Sequence, residues 1–353
     1  MHLAVLIIGT LLMIWPALYN GYPLVYADSG TYINSCIHME TPIDRPLFYG
    51  IFLRVTSMQA FLWVPVVLQG MLTTWLLQRL IRILLPDYGW KTQLLVLILL
   101  ALLTGLPWYT AQIMPDLFTA LLPVIFYLFL KDETAGWKLK TCYLFLLYSA
   151  TGMHFSNLFI LFLMLGLIVL LYAKQLVAKK SQLRKQLLAV SAILPLVLLT
   201  HSCFTYARFG VFRTSAGSNL FFAAKCLESP LLKTYMRENK DRMNIPFADK
   251  IDSIPDSPMG FLWDARSPLN QLGVDQIAVN QQYDAVIWDM ITTPRYLGMF
   301  LKQSFDGTLQ QVQFHRVGSG LVVYDKNSSP GTYIRKYYET EYPQFKSAMY
   351  CFD

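Results

Sequence analysis

A series of apolar runs, each near the length that crosses a membrane, constrains the fold of this chain more than any other feature. A helix needs roughly 20 mostly apolar residues to cross a bilayer. Only 14% of the 353 residues are charged, whereas an average soluble domain has about 25%. We therefore predict a mainly α, polytopic membrane helix bundle of about seven spans. These are residues 3–19, 60–84, 92–109 and 115–130, two short helices within 141–172, and 187–206.

Basic residues in the loops between these runs predict the orientation of the chain. Three alternate loops contain eleven of them: Arg79, Arg82, Lys91, Lys131, Lys138, Lys140, Lys174, Lys179, Lys180, Arg184 and Lys185. On the opposite side, the first loop contains Arg45 and Arg54, and the other two short loops contain neither Lys nor Arg. The positive-inside rule then places the N-terminus in the cytoplasm. We expect an integral protein of a plasma membrane, such as the bacterial inner membrane.

The composition changes after residue 207, where charged residues, Pro, Ser and Asn become frequent. We predict a transmembrane module over residues 1–206 with an external loop at 20–59. Residues 207–353 are predicted to form an extracytoplasmic, mostly helical C-terminal domain. Its sequence favours two amphipathic helices, "QIAVNQQYDAVIWDMI" and "RYLGMFLKQSF", and a short strand, "SGLVVYDK".

The external loop contains a further apolar segment, "DRPLFYGIFLRVTSM", which is too short and too charged to cross the membrane. Its apolar residues repeat at the spacing of one helix face. They are Leu47, Phe48, Ile51, Phe52 and Val55. We predict a helix over residues 45–58 that lies flat on the outer membrane surface.

Acidic, imidazole and amide side chains from three external segments are predicted to meet at the outer surface: Asp28, Asp116, His154, Ser156 and Asn157. Ionisable groups at membrane depth are costly, so they are candidates for function. Each has a structural alternative. Asp28 suits a catalytic base or a helix cap, Asp116 suits the first turn of a helix, and His154 suits a hydrogen-bonded turn.

Other residues of the external loop also have two interpretations. Arg45 is suited to bind a lipid phosphate through its fork of donors or to pair with Asp44. Tyr32, with Tyr22, Tyr26 and Trp108, fits an interfacial aromatic belt or a surface on which a sugar stacks.

A cluster of Asp28, Asp116 and His154 could in principle bind a divalent metal, although the spacing of these residues does not require one. The sequence contains no P-loop, GxGxxG, HExxH or GxSxG motif and no nucleic-acid-binding motif. An ATP-driven pump, a common hydrolase and a nucleic-acid partner are therefore not expected.

Three segments, "NGYPLVYADSGTYI", "DRPLFYGIFLR" and "QIMPDLFTALL", give the chain a resemblance to the GT-C superfamily of membrane glycosyltransferases. This group includes the polyprenyl-phosphate-sugar-dependent protein mannosyltransferases and aminoarabinose transferases. The resemblance covers roughly the first 205 residues. It implies a core of about seven spans, with a catalytic aspartate at Asp28 and an acidic residue at Asp116. The chain departs from the pattern where Ser29 follows Asp28, since several families have an Asp-Glu pair there.

The resemblance implies an inverting transferase that moves a sugar from a polyprenyl phosphate to an extracytoplasmic glycan, lipid or protein acceptor. Asp28 would act as the general base and Arg45 would stabilise the departing phosphate. Asp116, His154, Asn157 and Tyr32 would bind the substrates. The competing class is non-enzymatic: a membrane transporter, a lipid flippase or an assembly scaffold.

Overall fold

Helix dominates the computed structural model, which describes residues 2–174, 182–313 and 321–348. Helices account for 74% of it, and the described residues form no strand, so the mainly α prediction is confirmed. Leucine-rich runs with few interior Gly or Pro residues explain this outcome, because such residues favour helix locally. One isolated parallel bridge joins Leu24 to Gln112.

The chain forms two compact units, residues 1–214 with 317–353 and residues 215–316. This division differs from the predicted one, which put residues 207–353 together. The described residues 321–348, which we call the C-terminal segment, contribute to the core of the first unit. Ile334, Tyr338 and Phe345 are buried there.

The first unit contains fourteen of the described helices. They are α1 (His2–Met13), α2 (Trp15–Asn20), α3 (Ser29–His38), α4 (Phe48–Ser57), α5 (Trp63–Leu84), α6 (Trp90–Leu103), α7 (Leu106–Thr110), α8 (Asp116–Lys131), α9 (Trp137–Met153), α10 (Phe155–Leu171), α11 (Gln182–Ser191), α12 (Ile193–Phe209), α19 (Ser329–Tyr337) and α20 (Tyr342–Ala348).

The lengths of these helices do not by themselves establish seven spans. Two described stretches are long and apolar enough to cross a membrane, Trp63–Leu84 and Gln182–Phe209. Other apolar runs are interrupted where a proline prevents the preceding turn from continuing. Helix α1 ends shortly before Pro16, and α6 ends shortly before Pro107.

The helix predicted over residues 45–58 forms as α4, but its apolar residues differ in burial. Leu47 and Phe48 are buried, whereas Val55 is 68% exposed. Phe48 turns inward because it packs against Gly152, where an added Cβ would lie 2.5 Å from the Phe48 ring. The prediction that all five apolar residues face the membrane is therefore wrong for Leu47 and Phe48.

The second unit is helical and has its own core. Its α-helices are α13 (Ser218–Lys225), α14 (Leu231–Asn239), α15 (Pro258–Trp263), α16 (Pro268–Gln271), α17 (Gln276–Thr292) and α18 (Pro294–Gln313). Helices α17 and α18 contain the two predicted amphipathic segments. The predicted strand is not found, since residues 321–325 lie outside any helix or strand and residues 319–320 lie outside the described residues.

Candidate functional site

Asp28 immediately precedes α3, at the position of a helix cap, but its side chain makes no capping hydrogen bond. The neighbouring Ser29 fixes this turn instead. Its Oγ accepts a hydrogen bond from the backbone N of Tyr26 at 2.8 Å and donates one to the backbone O of Ile113 at 2.9 Å. The carboxylate of Asp28 therefore does not cap the N-terminal end of α3.

The carboxylate of Asp28 pairs with Arg45, which lies between α3 and α4. Arg45 Nη1 is 2.7 Å from Asp28 Oδ2, and Arg45 Nε is 3.1 Å from Asp44 Oδ2. The Asp28 side chain remains 32% exposed, whereas that of Asp44 is 9% exposed. Arg45 thus bridges two carboxylates. The sequence suggested Asp44 only as a local partner of Arg45, but Asp44 belongs to the same charged cluster as Asp28.

Burial and charge act in opposite directions in this cluster. Burial raises the pKa of Asp44, and the adjacent Arg45 opposes that increase. Burial disfavours the charged form of Arg45, but Asp44 and Asp28 outweigh it and raise the pKa of Arg45. The guanidinium therefore stays charged, and the three side chains together carry an excess of negative charge when both carboxyls are ionised.

Tyr32 supports Arg45 from inside the protein. Arg45 Cζ lies 5.7 Å from the centroid of the Tyr32 ring, and Tyr49 packs edge-on against that ring at 5.1 Å. Tyr49 in turn donates a hydrogen bond to Gln69 Oε1 at 2.8 Å. Tyr32 is buried, as is Tyr22. Neither ring is therefore at an open surface, as an aromatic belt or a stacked sugar would require.

Asp116 and His154 belong to the same neighbourhood as Asp28. Asp116 is the first residue of α8, where the helix dipole favours a carboxylate. It is half-buried and interacts electrostatically with His154, Asp28 and Arg45. His154 Nδ1 is 2.8 Å from Ser156 Oγ and accepts a hydrogen bond from the Ser156 backbone N at 3.3 Å. His154 thus caps α10 and is close enough to Asp116 for the two side chains to interact electrostatically.

Asn157 has a different position from the other predicted site residues. It is fully buried, and its Nδ2 donates a hydrogen bond to the backbone O of Ala150 at 2.7 Å. This contact ties the end of α9 to the start of α10. Asn157 therefore stabilises the turn that carries His154 and does not form part of an exposed surface.

The C-terminal segment packs against α3 and α4, the two helices that flank the loop with Arg45. Tyr338 Oη and Ser57 Oγ share a hydrogen bond at 2.9 Å. The carboxylate of Glu341 accepts hydrogen bonds from the backbone N of Leu62 at 2.9 Å and from Tyr22 Oη at 3.2 Å. No local sequence pattern predicted these contacts. The one hint in the sequence was the frequent Tyr residues after position 323.

Tyr324, also in the C-terminal segment, lies near Asp28. Burial raises the pKa of Tyr324 to about 12, with smaller contributions from Tyr26 and Asp28. A phenol that stays protonated at neutral pH is a hydrogen-bond donor or acceptor at the edge of the cluster.

The described residues contain no group of three or more His, Cys, Asp or Glu side chains suited to hold a metal ion. Asp28, Asp116 and His154 do not form such a group, and Arg45 occupies the position beside Asp28 that a cation would take. The metal interpretation of this cluster therefore has no support in the geometry.

Comparison with known protein families, with curated proteins and with solved structures gave no match for this chain.

Proposed function

We propose that this chain is an integral membrane glycosyltransferase that moves a sugar from a polyprenyl phosphate to an acceptor outside the cytoplasm. The proposal rests on the environment of the Asp28 carboxylate. Its carboxylate is not a helix cap, remains partly exposed, and is held by Arg45 at the position where the GT-C resemblance implies a catalytic aspartate.

Apolar side chains on the outer surface of the first unit support its placement in a bilayer. On α10, Phe159 is 71% exposed, Phe162 63% and Leu163 67%. Soluble monomers rarely expose contiguous apolar patches of this kind. We propose seven crossings, in which α1 continues into α2, α6 into α7 and α11 into α12, while α5, α8, α9 and α10 each cross once.

The chemistry assigned to the cluster is an inverting displacement. Asp28 takes the proton of the acceptor hydroxyl or amine as that atom bonds to the anomeric carbon. The bond between the anomeric carbon and the phosphate oxygen breaks, and the polyprenyl phosphate leaves with the electron pair. Arg45 donates hydrogen bonds to the departing phosphate. Asp116 and His154 are placed to bind hydroxyl groups of the donor or the acceptor.

The test is complementation of cells that lack the protein, with glycans and glycolipids compared by mass spectrometry. We expect wild type and Asp87→Asn, a change in an exposed loop, to restore a sugar-bearing species. We expect Asp28→Asn at the same protein level to fail. Restoration by Asp28→Asn to the level of wild type would exclude Asp28 as the base.

One observation favours a second candidate function, transport. Helix α5 has a buried polar stripe of Gln69, Thr73, Thr74 and Gln78. The Thr73 and Thr74 hydroxyls and the Gln78 amide N have no partner among the described residues. Polar side chains at mid-membrane often line a pathway. A transporter would lose function in Thr73→Val and keep it in Asp28→Asn, whereas the transferase would show the reverse.

A further inference from the structure

A cavity of about 750 Å³ lies at the end of the first unit remote from Asp28. It is formed by the C-terminal ends of α8 and α10 and the N-terminal ends of α9 and α11. On α8, the cavity lining extends from Pro123, about 10 Å along the helix axis from Asp116, to Lys131, about 22 Å from it. None of the lining residues belongs to the Asp28 cluster. The cavity therefore belongs to neither the Asp28 cluster nor the chemistry proposed there.

The lining of the cavity has an apolar part and a polar part. The apolar part comes from α8, α10 and α11 and includes Phe126, Leu130, Met164, Leu167, Ile168 and Leu183. The polar part includes Lys131 and Lys140, with Gln186 beside them. Such a lining suits an amphiphile that carries negative charge at one end.

The acidic residues of the rim do not cancel the lysines. Asp132 pairs with Arg79, and it accepts hydrogen bonds from Thr134 at 2.7 Å and from Tyr143 at 2.8 Å. Although burial opposes it, these hydrogen bonds lower the pKa of Asp132. Arg79 therefore compensates the charge of Asp132 first, although Asp132 and Glu133 both still interact electrostatically with Lys140.

The volume also fits a bound amphiphile. Ligand pockets typically enclose about 300–1,000 Å³, and the cavity lies within that range. It suits a phosphate headgroup and the first part of its acyl chains, with the remainder of the chains in the bilayer along α10.

We propose that this cavity binds one anionic glycerophospholipid from the cytoplasmic leaflet, with its phosphate at Lys131 and Lys140 and its acyl chains on the apolar part of the lining. The inference rests on the membrane orientation in the proposed function and not on glycosyl transfer. Loop 131–140 belongs to the basic set of loops, and the cytoplasmic leaflet carries the anionic lipids that basic pockets between helices bind.

Native mass spectrometry of the full chain, released from detergent with added phosphatidylglycerol or phosphatidylcholine, tests the proposal. We expect one phosphatidylglycerol to bind and phosphatidylcholine to bind more weakly. Lys131→Gln should weaken phosphatidylglycerol binding about five-fold. The matched control is Lys138→Gln, because Lys138 lies in the first turn of α9, packs on Trp137 and does not line the cavity. It should leave the affinity unchanged.

A second variant tests the apolar part without a change of charge. Ile168→Trp should fill the cavity and reduce phosphatidylglycerol binding, and excess inorganic phosphate should not displace the lipid from wild type. Equal effects of Lys131→Gln and Lys138→Gln, equal binding of the two lipids, or displacement by phosphate would each overturn the proposal. Lipid binding that persists beside normal sugar transfer in cells with Asp28→Asn would exclude Asp28 as the base and leave the lipid site intact.

Discussion

The contact between α3 and the C-terminal segment gives a sharp prediction for Gly30→Ala. Gly30 is helical, and a Cβ at this position would lie 2.1 Å from Ser329 Oγ and 2.5 Å from the Ser329 backbone C. An alanine in a helix is favoured over glycine by roughly 0.5–1 kcal/mol. Overpacking typically costs about 1–3 kcal/mol, and here the obstacle includes backbone, which cannot rotate away.

Because the obstacle is backbone, we take the upper half of the overpacking range, about 2–3 kcal/mol. The two effects together then predict a net loss of about 1–2.5 kcal/mol in the free energy of unfolding. Complete release of the C-terminal segment would cost more, because it would expose Ile334, Tyr338 and Phe345, at about 1.5–3 kcal/mol for each large apolar side chain. We therefore expect the segment to shift on α3 and to stay bound. The matched control is Gly166→Ala in α10, where nothing lies within 4 Å of the added Cβ.

Thermal unfolding of the purified full chain in detergent, followed by intrinsic fluorescence, measures the difference between the two variants. Limited trypsin digestion after Lys336 and Lys346 reports the position of the segment separately. We expect Gly30→Ala to unfold at a lower temperature than wild type and Gly166→Ala to unfold at the same or a higher temperature. If Gly30→Ala is as stable as Gly166→Ala and its segment is equally protected, the packing described for Ser329 is wrong.

Three further changes test contacts of the same kind. Burial raises the pKa of Glu341. Its contribution to stability is therefore present at pH values below its unfolded-state pKa and is lost as pH rises through its folded-state pKa. The unfolding temperature of Glu341→Gln should lack this decline. Tyr338→Phe removes the hydrogen bond to Ser57 and should cost about 0.5–1.5 kcal/mol in the free energy of unfolding from denaturant titration. In the second unit, Tyr235→Phe removes a 2.6 Å hydrogen bond to Asp289; it should cost about 1.5–3 kcal/mol by the same titration, and an unchanged midpoint would contradict this.

Local sequence signals predicted the parts of the fold that depend on local physics. The apolar runs form helices because their residues favour helix wherever they pack. Asp28 was singled out as a candidate because it is a carboxylate directly after an apolar run. The capping hydrogen bonds of this turn come from Ser29 and not from Asp28. The two amphipathic helices, α17 and α18, carry their periodicity in their own residues.

The remaining features depend on contacts between distant residues. Tyr22 and Glu341 are 319 positions apart in the sequence, and the residues around each of them contain no signal for the contact. The C-terminal segment was therefore predicted as part of a separate domain. Phe48 and Val55 were predicted on the same face of one helix, yet Phe48 packs against Gly152 of α9, whereas Val55 is exposed. Asn157 seemed available at an external turn, but the approach of α9 buries it. Asp44 was undervalued because its pairing with Arg45 seemed purely local.

The hydrogen bonds of Glu341 have a consequence for the order of events during synthesis. The backbone N of Leu62 receives this partner only after 279 further residues have been translated, and the Tyr22 hydroxyl only after 319. At about 5–20 residues per second, that interval is roughly 15–60 s. During it, Leu62 at the start of α5 and Tyr22 in the loop before α3 lack the carboxylate that accepts their hydrogen bonds. A nascent chain would therefore form these two hydrogen bonds only after Glu341 has been translated, and termination before Glu341 would leave Leu62 and Tyr22 without this partner.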